Sequence, residues 1–283
     1  MFSNKLIKKI AVSSNEKKLM LSEKDWHIVL SANKAFREDT MSWKGNKLWG
    51  KYLLNKIGKH SELISFRNSL ELCCGNGYLF FSFKDLFKPV EDCYYIDLSE
   101  EQKKAFIIRC ESSGAKLPNI INGDIGNLQF DSDSLQMVYG NSFLHHLPDV
   151  GRYLREVCRV LVPGGKFIGF HEPTATAPYL ESFPRSVIRD IDDESLTDIW
   201  LITPETIKTL LKSSGFRAVD VYPNGLLASI LVTPWQLVLA KIGLPYQSNL
   251  IPRIKILCDN LERFLPLKLR LKYSPSIAIV ATK

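Results

Sequence analysis

The chain has 283 residues, 45% of them apolar and 24% charged, which is typical of a globular protein and excludes collagen-like and disordered classes. The formal net charge is +7. Residues 1–60 carry 13 Lys and Arg against 5 Asp and Glu, and residues 250–283 carry 7 against 2. Basic segments at the two ends of a chain are most often solvated surface. The alternative, which is a functional one, is that they attract an anionic membrane or nucleic acid.

The six cysteines form no C-x-x-C pair, and adjacent Cys73 and Cys74 are poorly placed to hold one tetrahedral metal ion. No metal site is therefore predicted. Several cysteines lie in apolar runs, which favours a reduced, cytoplasmic compartment. The N-terminus has basic residues but no long apolar run and no small-residue cleavage site, so no signal peptide is predicted.

Residues 1–68 are polar with helical spacing, and we predict an N-terminal helical extension whose last helix covers residues 49–57. From residue 69 onward, short apolar runs alternate with helical patterns, the clearest helix lying at residues 150–161. Such alternation predicts an α/β core over residues 69–223, with parallel strands and helices on both faces of the sheet. The predicted core strands lie at 69–73, 93–97, 119–122, 136–140 and 166–171.

Thr203 and Pro204 have the pattern of an N-cap and the first residue of a helix, which we expect to stop near Gly215. The stretch that follows, 216–222, alternates like a strand. The terminal segment, 274–283, contains the last predicted strand of the core.

Residues 224–273 separate these two strands and are far longer than a usual hairpin loop. We predict a helical insert. Its first part, 226–240, is nearly long enough to span a bilayer, but the Thr233-Pro234 pair breaks it. The favoured interpretation is an apolar lid over a substrate pocket. The second is a set of buried structural helices. Such a lid, followed by a basic segment, suits peripheral contact with an anionic membrane.

The most informative pattern is a glycine-rich turn followed by acids at the ends of successive strands. Glu71 precedes Gly75 and Gly77, Asp97 closes the next predicted strand, and Asp124 follows the third. Glycines let a backbone approach a ligand closely, and an acid about twenty residues further on can hold ribose hydroxyls. Because ligands of parallel sheets bind at the carboxyl ends of the strands, the three acids predict a site for a cationic nucleoside ligand.

A dinucleotide is disfavoured as that ligand. Pyrophosphate binding needs a third glycine at position 80, where this chain has Phe80. A cationic nucleoside ligand without a pyrophosphate needs no such glycine and is held better by carboxylates than by a basic cradle.

These motifs resemble the core of class I S-adenosylmethionine-dependent methyltransferases, and the likeness extends from about residue 70 to about residue 172. The resembling segments are the turn at 71–77, with Cys73 in place of the usual first glycine, the acids Asp97 and Asp124, and the stretches 142–149 and 161–165. The resemblance implies a Rossmann-like methyltransferase fold with a mostly parallel seven-stranded sheet whose last strand is antiparallel. It also implies S-adenosyl-L-methionine as the cofactor.

The resemblance further implies roles for individual residues. Glu71 orders the turn or meets the amino-acid end of the cofactor, which approaches the backbone at Gly75 and Gly77. Asp97 accepts from the ribose. The remaining implied cofactor-binding residues are Cys73 within the turn, Leu98 near the adenine, Asp124 on the adenine amino group, Ile125 through its backbone N–H, and Asn141 on the methionine side.

Histidines are the candidate general bases, should the acceptor need deprotonation, because their pKa lies near neutrality. We single out His171, at the end of a predicted central strand, and His146, in the stretch after the fourth strand. A structural role is the favoured alternative for His145 and His146, and stands about even for His171.

The sequence thus predicts an enzyme that transfers a methyl group to a small-molecule acceptor, with an apolar or lipid-like acceptor as one option. An RNA methyltransferase is the first alternative. It is disfavoured because Asn141 is not followed by the two prolines usual in amino-methylating enzymes of nucleic acids, and nucleic acid is accordingly disfavoured as a partner. A non-catalytic cofactor-binding scaffold is the second alternative.

Overall fold

The computed structural model describes residues 45–63, 67–86, 92–147, 149–175, 183–188, 197–232 and 250–283. The predicted extension before residue 45 and the Thr233-Pro234 break lie outside these ranges. The described helices are α1 (Lys47–Lys56), α2 (Tyr78–Phe83), α3 (Glu100–Ser113), α4 (Val150–Val160), α5 (Pro204–Ser213), α6 (Leu226–Leu231), α7 (Leu250–Glu262) and α8 (Leu267–Tyr273). The described strands are β1 (Ser69–Leu72), β2 (Cys93–Asp97), β3 (Asn119–Asn122), β4 (Leu135–Gly140), β5 (Leu161–Pro173), β6 (Phe183–Ile188), β7 (Thr197–Leu201), β8 (Ala218–Asn224) and β9 (Ser276–Thr282).

The described residues form a seven-stranded sheet in the order β3-β2-β1-β4-β5-β9-β8. Strands β1 to β5 pair in parallel, whereas β9 is antiparallel to both of its neighbours. The strand order reverses between β1 and β4, and ligands of open α/β sheets bind at such a switch point. The predicted Rossmann-like methyltransferase fold, with its antiparallel last strand, is confirmed.

Helices cover both faces of the sheet, as the alternating pattern predicts. On one face, Leu154 of α4 and Leu211 of α5 belong to a fully buried cluster with β1 and β4. On the other, Leu53 of α1 and Leu79 of α2 pack against β4, β5 and β9. Burial on both faces explains why the central strands read as nearly continuous apolar runs.

Side-chain caps fix several helix starts. The Asn46 side-chain oxygen Oδ1 accepts from the Leu48 and Trp49 backbone N–H groups, at 3.0 and 3.1 Å, and caps the start of α1. The Thr203 hydroxyl accepts from the Thr206 N–H at 3.1 Å, and Pro204 is the first residue of α5, as predicted.

Two strand features differ from expectation. Strand β5 begins at Leu161 and runs through Pro163-Gly164-Gly165, which looks like a turn in the sequence. The triplet forms an irregularity within the strand. Leu161 pairs with Leu135, the register then shifts, and Lys166 pairs with Met137. The β6–β7 hairpin is the second difference, since Pro184 and the lack of clear alternation hide β6 in the sequence.

Helices α6, α7 and α8 lie between β8 and β9. Helix α7 packs against α1 and α6, and buried Ile251 and Cys258 meet Ala228 and Val232. No helix within the described ranges is both long and apolar enough to cross a bilayer.

Candidate active site

The turn after β1 is held open by left-handed backbone conformations and by one carboxylate. Cys73, Gly75 and Gly77 have φ values of 49°, 52° and 80°. The Asp97 side chain accepts through Oδ2 from the Gly75 N–H at 2.8 Å and through Oδ1 from the Ser99 N–H at 2.9 Å. Asp97 therefore ties the predicted cofactor turn to the start of α3.

The two glycines of this turn serve different needs. A Cβ atom at Gly75 would meet only Gln102 Oε1, at 3.7 Å, so the space above Gly75 is open to a ligand. A Cβ atom at Gly77 would lie 2.4 Å from the Phe106 ring, so Gly77 is required by close packing of the turn on α3. Sequence reasoning gave both glycines the same role, close approach of the cofactor, and that role stays a prediction.

Cys73 occupies a conformation that favours glycine. Its half-buried side chain packs against the core cluster that contains β1. Burial raises the pKa of its thiol, and the nearby charges of Asp97, Glu172, Asp124 and Glu71 act in the same direction. All four carboxylates act electrostatically on Cys73, in keeping with acids near the carboxyl edge of one sheet.

Glu71 is buried in β1, and its Oε2 atom has no hydrogen-bond partner among the described residues. Burial raises the pKa of this carboxyl well above its usual value, and the charge of Asp97 raises it further. A cationic group near Glu71 would favour the ionised form and supply the missing partner. This buried, unsatisfied acceptor is what a site for a positively charged ligand requires.

The second and third strands place the remaining predicted residues. Asp124 follows β3, and its Oδ1 accepts from the Gly126 N–H at 2.7 Å. Ile125 is buried in the core, and half-buried Leu98 accepts through its backbone oxygen from Asn122 Nδ2 at 3.1 Å. Asp124, Ile125 and Leu98 are thereby fixed beside β2, where their assignment to the adenosine moiety stays a prediction.

Glu172 is a site-forming residue that sequence reasoning missed. Its Oε1 accepts from the Phe143 and Leu144 N–H groups at 2.9 and 3.1 Å, and its Oε2 lies 2.8 Å from His145 Nδ1. Glu172 and His145 are 1% and 5% exposed. The carboxylate thus fastens the loop after β4 to β5. The sequence did contain a signal for Glu172, an acid directly after the apolar run of β5. Burying a charged side chain there costs free energy unless the charge is hydrogen-bonded.

This loop carries Asn141 and His146, two of the predicted site residues. Asn141 Oδ1 is buried without a hydrogen-bond partner among the described residues. The rings of His145 and His146 lie 4.0 Å apart between centroids. His145 has a structural bond to Glu172, the alternative that the sequence favoured, whereas a catalytic role for half-buried His146 stays a prediction.

His171 lies within β5, two residues before its end, and contacts a residue that the sequence did not single out. Lys56 Nζ, at the end of α1, lies 2.7 Å from His171 Nδ1. Lys56 is 4% exposed, and burial lowers the pKa of its ammonium group to about 7. Burial also lowers the pKa of His171 well below its usual range, with the charges of Lys56 and Lys255 acting in the same direction. Both groups can therefore be neutral slightly above pH 7.

These residues fit S-adenosylmethionine. The cofactor carries a sulfonium and an ammonium, and the strand ends around the turn offer the side chains of Glu71, Asp97 and Asp124, open space at Gly75, and unsatisfied oxygens on Glu71 and Asn141. When bound, the cofactor supplies an electrophilic methyl group. The protein's part is to orient it and exclude water.

We expect Glu71→Gln to remove part of the pH dependence of stability. A carboxyl whose pKa is raised in the folded state binds its proton more tightly there, so its contribution is fully present below the unfolded pKa, near 4.5, and is lost as pH rises through the folded pKa. Urea denaturation at pH 5 and pH 8 measures this slope. Glu111→Gln, at an exposed acid of α3, is the control. An unchanged slope in Glu71→Gln would show that Glu71 does not titrate over this range.

Comparison with known proteins agrees with the geometry. A family model described as "Methyltransferase domain" matches residues 70–169. Demethylmenaquinone methyltransferase of Lactococcus lactis is 24% identical over 200 residues, 65% of this chain and 78% of that protein. The Staphylococcus aureus protein of the same name is 25% identical over 49% of this chain and 55% of its own length, so this match spans about half of that relative.

Among solved structures, phosphoethanolamine N-methyltransferase 2 of Haemonchus contortus superposes with a TM-score of 0.61 at 14% identity. The superposition covers 93% of this chain and 60% of that one, and at this identity it supports the fold alone. The fold, the carboxylate-lined turn and the family match lead to one conclusion. Residues 70–169 form a class I S-adenosylmethionine-dependent methyltransferase domain.

Proposed function

We propose that this methyltransferase methylates a small, apolar ring compound that bears an acidic hydroxyl, in the manner of a quinol. Two relatives are named for demethylmenaquinone, whose reduced quinol form is a compound of this class. The observation that carries the proposal is the bond between buried Lys56 and half-buried His171 near the carboxyl edge of the sheet. A hydroxyl acceptor needs a base, whereas a neutral amine acceptor needs none to attack the methyl group.

The proposed step uses His171 and Lys56 as a proton relay. His171 Nε2 takes the hydroxyl proton of the acceptor, while Nδ1 passes its own proton to neutral Lys56. The deprotonated acceptor attacks the methyl carbon in line, either through its oxygen or through a ring carbon that then loses its own proton, and the sulfur–carbon bond breaks. S-adenosylhomocysteine and the methylated acceptor are the products. Asp97, the glycine turn and Glu71 hold the cofactor meanwhile.

An acceptor of this kind partitions into lipid, so contact with a membrane is part of the proposal. The described cysteines, all six of the chain, are free thiols, which supports a reduced cytoplasmic compartment.

The acceptor assay uses S-adenosylmethionine labelled in the methyl group. We expect label on a demethylated naphthoquinol kept reduced and dispersed in detergent, and none on primary amines or total RNA. Label on RNA alone would replace this function with RNA methylation. Cofactor binding without transfer to any tested class would favour the scaffold alternative.

We expect turnover at saturating substrates to rise with pH and level off above about pH 7, because Lys56, whose pKa is about 7, must be neutral to receive the proton. Lys56→Met removes the final proton acceptor and should lower turnover by about 10- to 100-fold and flatten the profile. Lys51→Met, at an exposed lysine of α1, is the matched control. An unaltered profile in Lys56→Met would exclude the relay.

A further inference from the structure

Helix α7 presents a continuous apolar stripe to solvent. Its outward side chains recur at i, i+4, i+7 and i+11, which places them on one face of the helix. They are Leu250, Ile254, Leu257 and Leu261, with exposed fractions of 62%, 36%, 57% and 50%. Phe264, just after the helix, continues the stripe and is 88% exposed. An exposed apolar stripe of this length marks an interaction surface.

The inward face of α7 carries charged groups beside the buried Ile251 and Cys258. Glu262 is 1% exposed and accepts from the Gly225 and Leu227 N–H groups at 2.9 and 3.0 Å. Lys255 lies over the Trp49 ring, 5.6 Å from its centroid. These contacts fix the rotation of α7 and hold the apolar stripe outward.

The outward surface is also basic. Helix α8, which follows α7 after four residues, adds exposed Leu267, Leu269 and Tyr273. The only acids within residues 250–273 are Asp259 and Glu262, and both are buried. The exposed charges of this segment are all positive. Arg263 bonds Asn55 of α1, and Arg253, Lys268 and Lys272 are the other three.

We propose that this α7–α8 face, formed by the apolar stripe of α7, the exposed side chains of α8 and the basic residues Arg253, Lys268 and Lys272, docks onto an anionic lipid bilayer. Apolar side chains enter the boundary between headgroups and acyl chains, while the basic side chains meet the anionic headgroups. A second copy of the chain is a poorer occupant, because a symmetric contact would bring the same positive charges together. The inference goes beyond methyl transfer and does not depend on the identity of the acceptor.

The test is cosedimentation of the full chain with vesicles of phosphatidylglycerol and phosphatidylcholine at low salt, compared with pure phosphatidylcholine. We expect binding to the anionic vesicles that weakens as salt is raised. Leu257→Ser with Phe264→Ser should weaken it by at least about tenfold, because both side chains leave water on docking. Lys268→Gln with Lys272→Gln should also weaken it by about tenfold or more, and only for the anionic vesicles.

The matched control replaces two equally exposed apolar residues far from this face, Ile108→Ser with Leu117→Ser, which are 61% and 52% exposed. This control should bind vesicles like the unaltered protein. The proposal is overturned if the unaltered protein stays in the supernatant with anionic vesicles, or if the control loses binding equally. It is also overturned if light scattering shows that the unaltered protein is a dimer and that the Leu257→Ser/Phe264→Ser variant is a monomer. A much lower melting temperature of that variant would likewise overturn it, since this would show that another segment of the chain packs on the face.

Cofactor binding separates this inference from the proposed function. Calorimetry with S-adenosylhomocysteine should give the same affinity for the Leu257→Ser/Phe264→Ser variant as for the unaltered protein. If the protein binds vesicles but transfers no methyl group to a quinol, the docking surface is supported and the proposed acceptor is refuted.

Discussion

Glu172→Ala is expected to lower the free energy of unfolding by about 3–5 kcal/mol, because it removes a buried charge-assisted network. The substitution deprives the Phe143 and Leu144 N–H groups and His145 Nδ1 of their common acceptor at once. These donors are buried, so water does not replace the lost bonds. Urea denaturation monitored by circular dichroism measures the loss.

Glu156→Ala is the matched control. Glu156 also accepts from a backbone N–H, that of Leu128 at 2.8 Å, and pairs with Arg159 at 2.7 Å, but its side chain is 16% exposed against 2% for Glu172. Water can solvate the groups left behind, so a loss of about 1 kcal/mol is expected. Equal losses in the two variants would show that the loop after β4 does not depend on Glu172.

Asp97→Ala is expected to weaken binding of S-adenosylmethionine by about 1.5–3 kcal/mol, or roughly 10- to 100-fold. The carboxylate is the predicted partner of the ribose hydroxyls. It also holds the glycine turn through the Gly75 N–H and the start of α3 through the Ser99 N–H. The loss of the ribose partner and the loss of the bonds that hold the turn both affect the cofactor site, so each of them lowers the affinity for the cofactor.

Glu100→Ala controls for the loss of negative charge, since Glu100 is exposed three residues further along the chain. Its effect on affinity should be small and should vanish at high salt. Calorimetry that gives the same affinity for Asp97→Ala as for the unaltered protein would remove Asp97 from the site.

Much of the fold was predictable because its signals are local. The central strands are buried on both faces, so their apolar runs are nearly continuous, and Thr203-Pro204 marks the start of α5 through cap chemistry alone. The extra length of β5 was hidden, because Pro163-Gly164-Gly165 has the composition of a turn while tertiary pairing keeps it in the strand.

The candidate site was predictable only in its cofactor half. The glycine turn and Asp97 follow from spacing, whereas Glu172 and Lys56 act through contacts that join residues about 30 and more than 100 positions apart. A lysine at the end of a helix is ordinarily solvated, so the sequence gives no sign that Lys56 is buried. Periodicity likewise cannot say which face of α7 turns outward, because the outward and inward residues recur with the same spacing.

The most direct test of the whole account is a calorimetric titration of the full chain with S-adenosylmethionine, and separately with S-adenosylhomocysteine, in two buffers of different ionisation enthalpy. We predict saturable binding at one site per chain. Proton release should accompany binding of S-adenosylmethionine, because a cation beside Glu71 favours its ionised form. A folded protein that shows neither heat of binding nor a rise in melting temperature with either compound would contradict the cofactor site at the carboxyl edge of the sheet.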